Sequence, residues 1–103
     1  MAGFDSDGHI VRLTFSQDDA RLEQEGLLIG RDAKTCELHM NDSSVSRRHA
    51  RLFSNQGALW IEDLGSTNGI LINGVKMFKG GAVALPGQGN ITLGAVDLSI
   101  GTY

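Results

Sequence analysis

The residues of this chain best suited to bind an anion lie in two short stretches. Segment 46–51, SRRHAR, has three arginines within five positions and follows a polar turn at 41–44. Arg31 comes directly after Gly30 and the apolar run 27–29, where a strand would carry its side chain to the rim of a sheet. A guanidinium group meets phosphate or carboxylate oxygens with paired, charge-assisted hydrogen bonds. The pattern alone fits either an anion site or solvated charge at strand ends, and the second is the commoner case.

A catalytic arrangement is the first alternative. Ser46, His49 and Asp63 would suit a nucleophile, a base and an orienting acid, since triads are defined by geometry and not by chain order. However, the chain has no Gly-x-Ser-x-Gly elbow, and Ser46 and His49 stand three apart around the junction of a loop and a strand. It also has no Gly-x-x-x-x-Gly-Lys phosphate loop. We therefore predict that the chain is not an enzyme and uses no cofactor.

The elements that must position these residues are predicted to be strands. Fourteen glycines and one proline punctuate short apolar runs, which is typical of an all-β sandwich or barrel. Asn68-Gly69 and Asn73-Gly74 predict tight turns, because such turns need residues that accept a positive φ. Segment 16–25 lacks an apolar stripe and is predicted to be a loop with an irregular strand, while Trp60 is predicted to lie in the core. Strands are predicted at 9–15, 27–29, 37–40, 50–54, 58–64, 70–72, 75–77, 82–85, 91–93 and 96–100.

Composition and charge restrict the class of protein further. The 103 residues, 41% hydrophobic and 20% charged, fit one soluble domain with one core. A net charge of −3 argues against a nucleic-acid binder, and no apolar run is long enough to insert into a membrane. The polar, acidic start does not resemble a secretory signal. Cys36 is the only cysteine and the three histidines are scattered, so we predict no metal site and expect a reducing, cytoplasmic (intracellular) location.

Four motifs, in one order, resemble those of a forkhead-associated (FHA) domain. They are Gly30-Arg31, Ser46-x-x-His49, DLGSTNG at 63–69, and Asn73-Gly74. The resemblance implies an all-β fold of the SMAD/FHA type, a two-sheet antiparallel β-sandwich of about eleven strands. It also implies a shallow pocket for phosphothreonine, formed by the loops at one end. We expect a single FHA domain over residues 1–103, with its core at about 9–101 and a flexible N-terminal segment at 1–8.

Carried over position by position, the resemblance assigns roles to individual residues. Arg31 matches the arginine that pairs with phosphate, Ser46 the serine whose hydroxyl donates to it, and Asn68 the asparagine that hydrogen-bonds the peptide main chain. The phosphothreonine-binding residues are thus predicted to be Arg31, Ser46, Arg47, Thr67 and Asn68. The predicted structural supports of the site are Gly30, His49, Gly69, Asn73 and Gly74.

The implied partner is a threonine-phosphorylated protein or peptide, such as a Ser/Thr kinase or its substrate, in kinase-dependent signalling or regulation. Neither nucleic acid nor membrane insertion is expected. The alternative is a phospho-independent interaction or scaffold module that uses the faces of the sandwich. One departure from the family pattern concerns Ser44, which stands two residues before Ser46 in place of a lysine or arginine. The lack of a charge leaves open whether the peptide residue three places after the phosphothreonine is acidic, apolar or unselected.

Overall fold

The computed structural model describes residues 1–101, so the last two residues of the predicted domain lie outside the described part. Eleven strands and one short 3-10 helix, η1, make up the fold. The strands are β1 (Ala2–Phe4), β2 (Ile10–Arg12), β3 (Leu27–Gly30), β4 (Leu38–His39), β5 (Ala50–Asn55), β6 (Ala58–Asp63), β7 (Ile70–Ile72), β8 (Val75–Lys76), β9 (Ala82–Ala84), β10 (Gly89–Leu93) and β11 (Val96–Ile100), and η1 spans Ala20–Glu23.

The strands form two sheets that face each other. One sheet has six strands in the order β2-β1-β11-β10-β7-β8, and the other has five in the order β4-β3-β5-β6-β9. This confirms the predicted β-sandwich. Neighbouring strands are antiparallel except β3 and β4, which pair in parallel, because the chain after β3 crosses back before β4 begins.

The core lies between the sheets and is built by alternation along the strands. Leu52 and Ile61 are opposite each other on β5 and β6, Ile91 and Leu98 are opposite each other on β10 and β11, and all four are fully buried. Trp60 was predicted to be a core residue, but it is the neighbour of Ile61 in the strand, so its side chain lies on the opposite face and is only partly buried. Its ring stacks on Phe53 on the outward face of the five-stranded sheet, with centroids 6.3 Å apart.

Two other predictions about local structure are corrected. Segment 1–8, expected to be flexible, contains β1, which pairs with β11 on one side and β2 on the other. The strand forms because tertiary neighbours supply both ladders of hydrogen bonds, which the short run Ala2-Gly3-Phe4, with no alternation of apolar and polar residues, cannot signal by itself. Segment 16–25 contains η1, which begins after Asp19, whose side chain accepts a hydrogen bond from the backbone N–H of Arg21.

The register brings several loops to one end of the sandwich, which we call the loop end. Ile29, Ala50 and Asp63 lie in one row across β3, β5 and β6. The chain therefore leaves β3, enters β5 and leaves β6 at the same level. It then crosses to the other sheet, where β7 begins beside the β10–β11 turn. Loops 31–37, 40–49, 64–69 and 94–95 consequently meet there. Within residues 1–101 there is no helix of the length and apolarity required to cross a membrane.

Candidate anion-binding site

A shallow cavity of about 310 Å³ opens at the loop end. It is formed where the loop before β5 meets the loop between β6 and β7. All five residues predicted to bind phosphothreonine line it, together with two from the polar turn and the adjacent Val45. The lining residues are Arg31, Ser43, Ser44, Val45, Ser46, Arg47, Thr67 and Asn68.

Arg31 is held in place by its backbone and by one side-chain nitrogen. Its backbone N–H donates to the carbonyl oxygen of Ser46 at 3.0 Å, and its Nε donates to the carbonyl oxygen of Val45 at 3.0 Å. Neither Nη atom has a hydrogen-bond partner among residues 1–101. The guanidinium is therefore oriented by one edge, and its Nη edge remains available to two anion oxygens.

Ser46 presents a hydroxyl that is already used as an acceptor. The backbone N–H of Thr67 donates to Ser46 Oγ at 3.1 Å. Within residues 1–101 the hydroxyl proton of Ser46 has no acceptor. Because a serine hydroxyl has one proton and two lone pairs, this contact fixes the oxygen and leaves the proton to be donated to a ligand.

Asn68 is oriented by the polar turn. Its Nδ2 donates to the carbonyl oxygen of Ser44 at 2.8 Å. A carbonyl can only accept, so the amide nitrogen must face Ser44 and Oδ1 must point the other way. The acceptor oxygen of Asn68 is thus free for an N–H of a ligand.

His49 lies fully buried beneath the cavity. Its Nδ1 accepts from the backbone N–H of Ser46 at 3.1 Å, which requires that Nε2 carries the proton and donates to the carbonyl oxygen of Gly69 at 2.8 Å. The ring thus joins the two loops that line the cavity. Burial lowers the pKa of His49, which keeps this neutral form. Because both ring nitrogens are engaged by backbone groups, His49 cannot take a proton from Ser46 Oγ, and no catalytic triad is formed.

Two glycines fit the site for different reasons. A Cβ on Gly30 would overlap the carbonyl oxygen of Arg47 and lie 2.8 Å from its carbonyl carbon. Only glycine permits this close approach of β3 to the loop before β5. Gly69 has a φ of 80°, a conformation that side chains rarely adopt, and it turns the chain into β7.

Asn73 and Gly74, also predicted to support the site, lie elsewhere. Both have positive φ, 49° and 79°, and form the turn between β7 and β8. The backbone N–H of Asn73 donates to the carbonyl oxygen of Asn90, and the side-chain Oδ1 of Asn73 accepts from the Asn90 N–H, both at 2.8 Å. This turn is at the far end of β7, about 13 Å along the strand from Gly69. It fixes the register of the six-stranded sheet and does not contact the cavity.

The FHA domain family model matches residues 27–94 of this chain. The chain belongs to the FHA domain family. An FHA domain-containing protein of Arabidopsis thaliana is 33% identical over 76 residues, which are 73% of this chain and 18% of that protein. The FHA domain-containing protein FhaB of Mycobacterium tuberculosis is 46% identical over 57 residues, 54% of this chain and 36% of that protein. The chain thus spans well under half the length of these two curated relatives.

Solved FHA domains share the fold. The N-terminal FHA domain of Rad53p from S. cerevisiae, in complex with a phosphothreonine peptide, is 25% identical with a TM-score of 0.71, covering 99% of this chain and 92% of that one. The FHA domain of CT664 protein from Chlamydia trachomatis is 24% identical with a TM-score of 0.68, covering 99% and 95%. The resemblance drawn from the four sequence motifs is therefore confirmed.

The rim of the FHA cavity is cationic in a chain whose net charge is −3. Arg31 and Arg47 line the cavity and are exposed, and the adjacent Arg48 is exposed as well. Asp32 lies close by, and hydrogen bonds from the backbone N–H of Lys34 and the hydroxyl of Thr35 lower the pKa of this carboxyl, with smaller contributions from Arg48 and Arg47. The carboxylate is satisfied by its own loop, which leaves the guanidinium groups to set the sign of the rim.

Two buried acidic residues near the FHA cavity, Asp63 and Asp42, were given no role in phosphothreonine binding from the sequence. Asp63 is buried and accepts from the backbone N–H groups of Ser66 and Gly80. Burial would raise the pKa of Asp63, but the hydrogen bonds from Ser66 and Gly80 lower it below its ordinary value. Asp42 is the second. The spacing Asp42-x-Ser44 is a signal of a side-chain turn and could have singled it out.

A larger cavity is not the anion site. It has a volume of about 780 Å³ and is lined mainly by apolar groups of the ends of the two sheets, among them Phe15, Leu59, Leu85 and Ile100. Arg12 is the single cation among its described lining residues. Volume alone therefore does not locate the chemistry of this FHA domain, whereas converging hydrogen-bond donors do.

Proposed function

We propose that this chain is a phosphothreonine-binding module that docks onto a phosphorylated partner protein. The observation that carries the proposal is the convergence of three unused groups on one cavity of about 310 Å³. These are the Nη edge of Arg31, the hydroxyl proton of Ser46 and the Oδ1 of Asn68. They provide two kinds of donor for an anion and one acceptor for a neighbouring N–H.

Phosphate is the anion that this set of groups fits best. A phosphorylated threonine carries close to two negative charges near neutral pH and has three strong acceptor oxygens. The planar guanidinium of Arg31 would donate to two phosphate oxygens, and the Ser46 hydroxyl would donate to the third. Arg47 and Thr67 are assigned to the same phosphate from the two sides of the cavity. Asn68 would then accept from the main chain of the peptide next to the phosphothreonine.

The comparisons support this assignment at the level of the family. The Rad53p domain, with a quarter of its residues identical to this chain, was solved with a phosphothreonine peptide. The motif positions that carry the resemblance, from Gly30-Arg31 to Asn68-Gly69, fall within the matched segment 27–94. A preference for threonine over serine belongs to the same proposal, since the extra methyl group would fill a gap beside Asn68.

The wider setting is part of the proposal. We assign the 103 residues to one FHA domain without enzymatic activity, since the engaged ring of His49 leaves Ser46 without a general base. The partner is a threonine-phosphorylated protein, such as a Ser/Thr kinase or its substrate. Two observations support an intracellular, cytoplasmic location. Threonine-phosphorylated partners are made by ATP-dependent kinases, and the thiol of Cys36 is buried and forms no disulfide.

The test is a degenerate phosphothreonine peptide library, screened beside the same library with unmodified threonine and with phosphoserine. We expect retention of the phosphothreonine library alone, followed by micromolar affinity for a selected peptide. Equal retention of all three libraries would contradict the proposal and would point to a phospho-independent scaffold module.

A further inference from the structure

A buried carboxylate, Asp42, lies directly behind the wall of the cavity. It is 5% exposed, and its two oxygens accept four hydrogen bonds. Oδ1 accepts from the backbone N–H and the hydroxyl of Ser44 at 2.9 Å and 2.6 Å. Oδ2 accepts from the backbone N–H and the hydroxyl of Ser6 at 2.9 Å and 2.6 Å. These bonds, from Ser44 first and then from Ser6, hold the pKa of Asp42 well below its usual range, so the group is a full anion at neutral pH.

Ser44 connects this carboxylate to the cavity. Its hydroxyl, having donated its proton to Asp42, accepts from the backbone N–H of Ala95 at 2.8 Å. Its carbonyl oxygen accepts from Nδ2 of Asn68 at 2.8 Å. The fit is tight, because a Cβ on Gly94 would lie 2.8 Å from the carbonyl carbon of Ser44. Three separate parts of the chain therefore meet at Ser44, and Asp42 sets its orientation.

We infer that Asp42 is a positioning residue for phosphopeptide binding, which acts through Ser44 on Asn68 and extends the binding site to Ser6 in the β1–β2 turn. The inference rests on the proposed function. In Asp42→Asn the charge is lost and one acceptor oxygen becomes an NH2 donor, which faces the donors of either Ser44 or Ser6. The carbonyl that orients Asn68 is then no longer fixed. The Oδ1 of Asn68 then points toward the peptide only part of the time.

The contacts of Asp42 separate this role from general stabilisation of the sandwich. Core residues such as Leu52 and Leu98 lie between the two sheets, whereas the side chain of Asp42 hydrogen-bonds only to Ser6 and Ser44 in the turns. Strand β1 is held by its own ladders with β2 and β11. Loss of Asp42 should therefore loosen the polar turn and Asn68 more than it loosens the sandwich.

The experiment is a double-mutant cycle between Asp42→Asn and Asn68→Ala, measured as affinity for a phosphothreonine peptide selected by the wild-type chain. We expect Asp42→Asn to weaken binding about tenfold, equivalent to one charge-assisted hydrogen bond. In the Asn68→Ala background the same substitution should cost much less, because residues that act through one another are not additive. Asp19→Asn is the matched control, since it also neutralises a hydrogen-bonded aspartate but lies beside η1, and it should leave affinity unchanged.

Two further measurements make each outcome decisive. In the ligand-free chain, the side-chain amide resonances of Asn68 should shift in Asp42→Asn and stay in place in Asp19→Asn. Ser6→Ala retains the carboxylate and alters an exposed residue, so it serves if Asp42→Asn does not fold, with an expected loss of about threefold. Additive effects in the cycle, or unchanged affinity and unchanged Asn68 resonances in Ser6→Ala, would overturn the inference. A wild-type chain that binds no phosphothreonine peptide would instead overturn the proposed function.

Discussion

Replacement of Arg31 by alanine is the most direct perturbation of the proposed site. The substitution removes the Nη edge that faces the cavity, together with the bond from Nε to the carbonyl oxygen of Val45. The loss of the Val45 contact should reduce the free energy of unfolding by about 1 kcal/mol, because that carbonyl can be hydrated at the rim. The sandwich core is untouched, so the variant should fold.

The effect on binding should be larger than the effect on stability. Two hydrogen bonds from a guanidinium to a phosphate contribute roughly 1.5 to 3 kcal/mol each when both groups are charged. Even with partial compensation by Arg47, we expect a loss of at least about 2 kcal/mol, which is roughly 30-fold in affinity. Arg31→Lys retains the charge without the planar fork, so it should fall between the wild type and Arg31→Ala.

Calorimetric titration with a selected phosphothreonine peptide measures this difference at fixed ionic strength. Arg12→Ala is the matched control, because it removes the same charge from an exposed position on β2, lining the other cavity. It separates a specific contact from a change in net charge. Affinity of Arg31→Ala within twofold of the wild type would refute the assignment of Arg31, provided that thermal unfolding shows a folded variant.

Three other predictions follow from the geometry. Gly30→Ala should lower the free energy of unfolding by about 2 kcal/mol or more, because the new Cβ overlaps the backbone of Arg47. Urea titration measures this loss beside that of Gly87→Ala, whose new Cβ meets open space; equal losses in the two variants would contradict the prediction. The pKa of His49 is lowered in the folded chain, so the unfolded chain takes up a proton at higher pH than the folded chain does. The contribution of His49 to the free energy of unfolding should therefore be fully present above about pH 6.5 and should fall as the pH drops from there toward the folded-state pKa. A wild-type profile as flat as that of His49→Gln over this window would count against the buried neutral ring. The affinity for a phosphothreonine peptide should also weaken below about pH 6, where phosphate loses its second charge. A control peptide with glutamate in place of phosphothreonine should bind weakly at every pH. A phosphopeptide affinity that does not change with pH would exclude a dianion as the ligand.

Much of the fold could be predicted because each strand has a local signal. Alternation of apolar and polar residues, interrupted by glycine and asparagine, placed ten of the strands, including β7 and β11 with the bounds that the structure has. Strand β1 was not predicted, because Ala2–Phe4 does not alternate apolar and polar residues and is followed by the polar run 5–9. Trp60 was assigned to the wrong face, since an aromatic residue beside Ile61 has no local feature that decides which of the two is buried.

The sequence supplied the residues proposed for the site but not the connections between them. The residues from Arg31 to Asn68 could be listed from the order of their motifs, and Gly30 from its place before Arg31. Asn73-Gly74 was included because it completes the motif pattern, although its turn lies at the far end of β7. Asp42 was not singled out, because its hydrogen-bond network includes Ser6, which is 36 positions away in the chain.

The sequence by itself determined the type of fold and the order of the FHA motifs, because strand periodicity and motif spacing are local properties. The arginine and serine side chains alone fit either an anion site or solvated charge at strand ends, and the four-motif resemblance is what favours phosphothreonine. Only the tertiary structure decided which lone pairs and protons remain free for that ligand. Thr67 occupies one side of the Ser46 hydroxyl and Ser44 occupies one side of the Asn68 amide, and such pairings across loops depend on the register of two sheets.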